Sequence, residues 1–237
     1  MIKDKSPKEL FKATLPLLYL IIALFALRWT IVEPYVVPTG SMEPTLKTGD
    51  RLYALKCAYD IRFPFTDWIL VRTGKLTRGD VILFRNPEDP SITYVKRAVG
   101  LPGDKIVYNN AKLYINGEEV VKTRHPDASV MYDIEDANQK KLYIETLNGV
   151  RHYVILSDLS EEQRAYQESN FRLFQFRQEI TVPEDHFFYL GDNRDNSHDS
   201  RFGYFAPMNY LKGRAMFIWF SSWDWRVRPE RIGTKIQ

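Results

Sequence analysis

Pro38-Thr39-Gly40-Ser41-Met42-Glu43-Pro44-Thr45-Leu46 puts one hydroxyl, Ser41, on a short turn between β-prone residues and a proline. Gly40 permits backbone angles that a Cβ forbids, and Pro44 stiffens the far side by fixing φ. A serine held this way presents its Oγ and its own N–H in a fixed geometry. Thr-Gly-Ser is also ordinary turn chemistry, so the stretch takes its meaning from its surroundings. Before it lies the only apolar run of membrane length; after it the pattern becomes short β segments broken by turns. The turn marks the join between an anchor and a mostly β domain.

Ala13 to Leu27 contains no charge, and apolar character resumes past Arg28 through Trp29, Ile31 and Val32. Ala13 to Val32 is 20 residues, which as a helix matches the hydrocarbon thickness of a bilayer, about 30 Å. Arg28 sits close enough to one end to snorkel, with Trp29 beside it as an interfacial ring. Pro16 is expected in the first helical turn, where it is tolerated. Lys3, Lys5, Lys8 and Lys12 outweigh Asp4 and Glu9, which predicts a cytoplasmic N-terminus and export of everything after Val32. A cleaved secretory signal shares the basic start and apolar middle. The run is long for one, however, and no clear A-x-A site follows it.

The 237 residues carry 44% hydrophobic and 27% charged side chains, ordinary globular values that argue against disorder. A net charge of +3 is too small to imply nucleic acid as a partner. Cys57 is the single cysteine, which excludes an intrachain disulfide or a thiolate metal cluster and reads as packing.

Expected strands are Tyr35 to Val37, Arg51 to Leu55, Asp80 to Phe84, Ile92 to Val99, Lys105 to Tyr108, Lys112 to Ile115, Glu118 to Val121, Phe171 to Val182, Phe187 to Leu190 and Arg214 to Phe220. Asn116-Gly117 is a strong hairpin signal and Asn109-Asn110 a weaker one. Ser160-Glu161-Glu162-Gln163 has the form of a capping box. The expected division is a cytoplasmic N-terminus (1–12), an anchor (13–32), a core in two parts (33–108 and 181–237), and an inserted subregion (109–180). The fold class is mainly β: one N-terminal transmembrane helix, then an extracytoplasmic β-rich catalytic domain with an inserted β-rich subdomain.

Along Ile92-Thr93-Tyr94-Val95-Lys96-Arg97-Ala98, strand alternation puts Lys96 on the face of Ile92, Tyr94 and Ala98, with Arg97 opposite. Burial disfavours the ammonium form, and a neutral lysine amine beside a serine hydroxyl is a general base. A solvated edge-strand lysine is the plain alternative. Gly191 to Gly203 (GDNRDNSHDSRFG) follows an apolar strand and is dense in short polar side chains, which suits a loop that holds a neighbouring group in place. Its spacing does not fit an EF-hand calcium loop, because Arg194 and His198 interrupt the oxygen ligands. A Ser-His-Asp triad is not indicated either: Ser41 lies in no G-x-S-x-G elbow, and nothing singles out His125, His152, His186 or His198.

Four ordered segments together resemble the bacterial type I signal peptidases, membrane-anchored Ser-Lys endopeptidases. They are Pro38 to Leu46; Arg78-Gly79-Asp80-Val81; Tyr94 through Asp104; and Gly191 through Arg201. The resemblance implies Ser41 as nucleophile and Lys96 as base. It implies the Ser41 N–H and Thr39 hydroxyl as oxyanion donors, threonine standing where many members have serine. Ser197 resembles the hydroxyl that orients the lysine, and Asp192, Asp199, Arg97 and Arg201 resemble supporting ion pairs. A signal-peptide segment would add as a strand beside Tyr35 to Pro38 and Tyr94 to Lys96. Tyr35, Val37 and Val95 would then line pockets for small residues at the first and third places before the cut. The implied partners are signal-peptide-bearing precursors and the lipid bilayer, and no metal or organic cofactor is implied. A Ser-Lys autoprotease, an inactive peptide-binding module and an organellar processing peptidase are the alternatives. The resemblance does not account for 109–180.

Overall fold

The computed structural model describes residues 7–66, 68–171 and 178–237; Lys3, Asp4 and Lys5 of the N-terminal segment, and part of the expected strand from Phe171 to Val182, lie outside them. Pro7–Ile31 forms one α-helix of 25 residues. Pro16 therefore sits inside the helix and not in its first turn, because the helix starts further upstream, at a proline suited to a first turn. Val32-Glu33-Pro34 ends it: a β-branched residue and then a residue before proline both disfavour continuation. Leu17, Leu18, Tyr19, Leu20, Leu24 and Phe25 project away from the protein, and the segment Thr14–Ile31 is long and apolar enough to cross a membrane.

The helix hands the chain to an eight-stranded sheet, joined in the order Val32–Val36, Asp50–Leu55, Leu211–Trp223, Val81–Arg85, Thr93–Gly100, His186–Leu190 and Ala206–Pro207, with Arg226–Val227 added to Leu211–Trp223. All these pairings are antiparallel. Val32–Val36 is an edge strand, where Pro34 removes no ladder hydrogen bond. Val81 and Leu83 pack with Val37, Met42, Leu46, Leu52, Ala54, Ala215 and Ile218. Ile82 and Phe84 face the other way, onto Ala98, Phe187, Tyr189, Ala206 and Leu211. Both faces of that strand are thus buried, which is why Val81-Ile82-Leu83-Phe84 reads as an unbroken apolar run.

Between Gly100 and His186 lie a four-stranded sheet (Ile180–Thr181, Lys105–Asn109, Lys112–Ile115, Glu118–Glu119) and a three-stranded sheet (Lys122–Arg124, Lys140–Leu147, Val150–Ser157). The long hairpin of the latter turns on Asn148 and Gly149, both at positive φ (49° and 81°), as a two-residue primed turn needs. Ser160 caps the helix Glu161–Glu168, with the reciprocal Gln163 bond of a capping box. A further hairpin, Asp60–Arg62 with Ile69–Arg72, lies outside the expected strands. It exposes Phe63, Phe65, Trp68 and Leu70 and meets the N-terminal helix where Trp29 packs on Phe65, ring centroids 5.3 Å apart.

Candidate active site

The sheet brings the turn at Ser41, the strand at Lys96 and the loop after Leu190 to one place. Gly40–Met42 is a single turn of 3₁₀-helix entered from extended Thr39. Gly40 does not have positive φ, so the expected conformational reason for a glycine gives way to a spatial one. A Cβ there would lie 2.6 Å from a carboxylate oxygen of Glu43. Ser41 is 8% exposed, and its Oγ is in hydrogen-bond contact with Lys96 Nζ. Thr39 Oγ1 lies 3.4 Å from the same Oγ.

Lys96 is buried on the strand Thr93–Gly100. Loss of solvent, the dominant influence, pushes its amine down to about 8; Asp199 and Asp192 pull upward and Arg201 pushes further down. Tyr94, two residues away on the same face, has its ring centroid 5.5 Å from Nζ. Arg97 is fully buried on the opposite side and grips Asp192 with two bonds, at 2.8 and 2.7 Å. Thr45 Oγ1 donates to that carboxylate at 2.5 Å. Burial raises the Asp192 carboxyl, but the Arg97 charge and hydrogen bonds outweigh it and hold the group below the usual range.

Asp199 and Arg201 form a second bidentate pair, at 2.8 and 2.9 Å, with no solvent access. The Arg201 guanidinium carbon lies 5.0 and 4.6 Å from the Tyr108 and Phe171 ring centroids. Asp199 also accepts from the Gly191 N–H at 3.1 Å, so it ties the loop to the end of its strand. Ser197 is buried at the same spot, and its Oγ makes no hydrogen bond of ordinary geometry; it lies near enough to Asp199 to help keep that carboxylate ionised. Tyr35, Val37 and Val95 gather against one apolar cluster, while Pro38 is exposed beside them. His198 faces outward, 2.6 Å from Glu88 and stacked on Phe202.

The profile of the family described as "Signal peptidase, peptidase S26" matches residues 8–220. The chain belongs to the S26 signal peptidase family. It is accordingly a serine peptidase. Signal peptidase I of Pseudomonas aeruginosa is 36% identical over 224 residues, spanning 90% of this chain and 72% of that protein. Signal peptidase I of Buchnera aphidicola is 32% identical over 267 residues, spanning 98% and 84%. That of Rickettsia typhi is 35% identical over 225 residues, spanning 87% and 80%. A crystal structure of a signal peptidase I from Enterococcus faecalis is 28% identical, with a TM-score of 0.34, covering 59% of this chain and 96% of that one.

In this S26 peptidase two contributors escaped the sequence reading. The first is Gly191, where a Cβ would fall 2.2 Å from Ser197 Oγ and 2.5 Å from the Ser41 carbonyl oxygen. Only a missing side chain lets the loop close on the Ser41 turn. Gly191→Ala is therefore expected to reduce kcat about 100-fold, the scale of a 1 Å misplacement, with the circular dichroism spectrum unchanged; steady-state kinetics on a precursor peptide checks it. The second is the inserted hairpin. Ile155 N–H donates to the Asp192 carbonyl at 2.9 Å, Ser157 N–H donates to Asp195 at 2.6 Å, and Arg164 donates to Asp195 at 3.2 Å. Glu145 pairs with Arg194 in the same loop, both buried.

Proposed function

We propose that the chain cleaves signal peptides from exported precursors with a Ser41–Lys96 dyad, and that this chemistry runs at the membrane surface. The single observation that carries it is the burial of Lys96 in contact with the Ser41 hydroxyl. In its neutral form the amine accepts the Ser41 proton as Oγ attacks the scissile carbonyl carbon. The carbonyl oxygen takes up the negative charge, stabilised by the Ser41 N–H and the Thr39 hydroxyl. Collapse breaks the C–N bond, and Lys96 returns its proton to the leaving amine. Water then attacks the acyl-enzyme, Lys96 accepting its proton, and the Ser41 hydroxyl is regenerated as the product acid leaves. Arg97–Asp192 and Asp199–Arg201 support the base, whereas the Ser197 hydroxyl expected to orient it makes no hydrogen bond to the amine and lies beside Asp199 instead.

An extended substrate is accommodated by two open strand edges. Val32–Val36 borders the sheet, and the pairing of Thr93–Gly100 with His186–Leu190 stops at Arg97. A strand laid between Tyr35–Pro38 and Tyr94–Lys96 gains main-chain bonds, and the Tyr35, Val37 and Val95 surface admits only small side chains at the first and third positions. The short connection from Ile31 to Ser41 and the exposed apolar hairpin beside Trp29 support a site at the bilayer surface. The N-terminus is then cytoplasmic and 33–237 lies on the outer side of the cytoplasmic membrane. Within that span, 109–180 acts as an inserted unit that braces the catalytic loop.

The test is processing of a precursor in liposomes across pH. Because the working base is neutral Lys96, with its amine at about 8, kcat/KM is expected to fall about tenfold per pH unit below that value and to level off above it. A rate that stays flat from pH 6 to 9 overturns the assignment of Lys96 as the base.

A further inference from the structure

The oxyanion-donating N–H of Ser41 belongs to the Gly40–Ser41 peptide, and that peptide's carbonyl oxygen is held from two sides. Asn193 Nδ2 donates to Gly40 O at 3.0 Å, and the Glu43 N–H donates to it at 3.1 Å. A trans peptide is planar, with C=O and N–H pointing in opposite directions. Fixing the oxygen therefore fixes the direction of the N–H. The restraint matters here because rotation of this peptide turns on ψ of Gly40, a residue with no Cβ to limit it. Glu43 occupies the space that a Cβ would need, and its buried carboxylate also lies 3.4 Å from Asn193 Nδ2. With acceptors on both hydrogens of that amide, only one orientation of Asn193 satisfies the cluster. Asn193 is itself 1% exposed, and its backbone N–H donates to the Ser41 carbonyl at 3.1 Å.

We propose that Asn193, oriented by Glu43, is a positioning residue that aims the Ser41 N–H at the developing oxyanion. This rests on the dyad reading, in which that N–H is one of the two donors. Loss of a whole oxyanion donor lowers kcat by about 10²–10³; mis-aiming one forfeits part of that.

The experiment compares Asn193→Ala and Asn193→Asp in the full chain in liposomes, with Ser41→Ala alongside. Expected for Asn193→Ala is a 10- to 100-fold fall in kcat with KM within twofold. Asn193→Asp, which keeps the volume but sets an acceptor against Gly40 O and Glu43, is expected to lose more. Affinity for a peptide aldehyde, whose adduct with Ser41 carries an oxyanion, falls in step with kcat, whereas affinity for an uncleavable peptide amide holds. In Asn193→Ala the acidic limb stays near 8, since no charge beside the base changes. Parental kcat in both variants overturns the proposal. So does the reverse order, Ala worse than Asp with activity tracking thermal stability, because that is the signature of packing alone. If Asn193→Ala does not fold, the volume-conserving Asn193→Asp decides by its aldehyde affinity. Turnover by Ser41→Ala would instead sink the dyad itself, a result distinct from either outcome at Asn193.

Discussion

Lys96→Met yields a protein that no longer cleaves precursor and that is more stable than the parent at pH 7. The first half follows from the proposed role of Lys96 as base: loss of one member of a nucleophile–base pair lowers kcat by roughly 10⁴-fold or more. The second half follows from how the base is made. Burial lowers the Lys96 amine from 10.5 to about 8, so folding disfavours its charged form. Between those values the unfolded chain binds more protons than the folded one, and stability rises with pH. Below about 8 the penalty is complete, at about 1.4 kcal/mol per unit of displacement and so roughly 3 kcal/mol in all. Methionine fills nearly the same space with no charge to desolvate. The gain in melting temperature should amount to several degrees at pH 7 and vanish above pH 10. Ser41→Ala loses activity equally but gains nothing, because it deletes a hydroxyl and leaves the amine buried. Melting curves of the three proteins at pH 7 and pH 10, read beside their cleavage rates, make the check. A Lys96→Met protein that still cleaves, or that melts below the parent at pH 7, contradicts the account.

The same local logic explains what could be read from the chain and what could not. The contact between Ser41 and Lys96 was legible only from the four ordered segments taken together, because each stretch alone also reads as an ordinary turn or a solvated edge strand; the alternation from Ile92 to Ala98 already put Lys96 beside Tyr94. Main-sheet strands were legible either from alternation, as in Asp50–Leu55, or from an unbroken apolar run between two packed cores, as in Val81 to Phe84. The hairpin Lys140–Leu147 with Val150–Ser157 was not, although Asn148-Gly149 marks its turn. Its inward positions include Glu145 and His152, and a buried carboxylate reads as a surface residue until its partner is known. That partner is Arg194, 49 positions along the chain. Gly191 was visible as a glycine, but a backbone carbonyl from across the fold, that of Ser41, is what leaves no room for a side chain there. Pro16 misled because the start of the helix is set by Pro7, not by the apolar run. Interactions closed within a few residues appear in sequence; those closed across the fold do not.

Asp199→Asn is expected to reduce stability by about 3–5 kcal/mol, the usual consequence of stripping a buried guanidinium of its counter-charge. Both partners are shielded completely from solvent, so Arg201 cannot recover hydration without opening the packing of Tyr108 and Phe171 around it. Measured against a total of roughly 5–15 kcal/mol, this is a large share, and it is readable as a shift in the urea midpoint at unchanged slope. The catalytic consequence has its own sign. The Asp199 charge raises the Lys96 amine and the Arg201 charge lowers it, so removing only the carboxylate lets Lys96 lose its proton more readily. The acidic limb of kcat/KM should move to lower pH even as the maximal rate falls with a looser Gly191 contact. Adding Arg201→Met removes the uncompensated charge. The double variant should recover part of the stability, and its acidic limb should return toward that of the parent, because the two side chains act through one contact. A single variant within 1 kcal/mol of the parent, or a limb displaced to higher pH, would mean that the pair neither holds the loop together nor tunes the base.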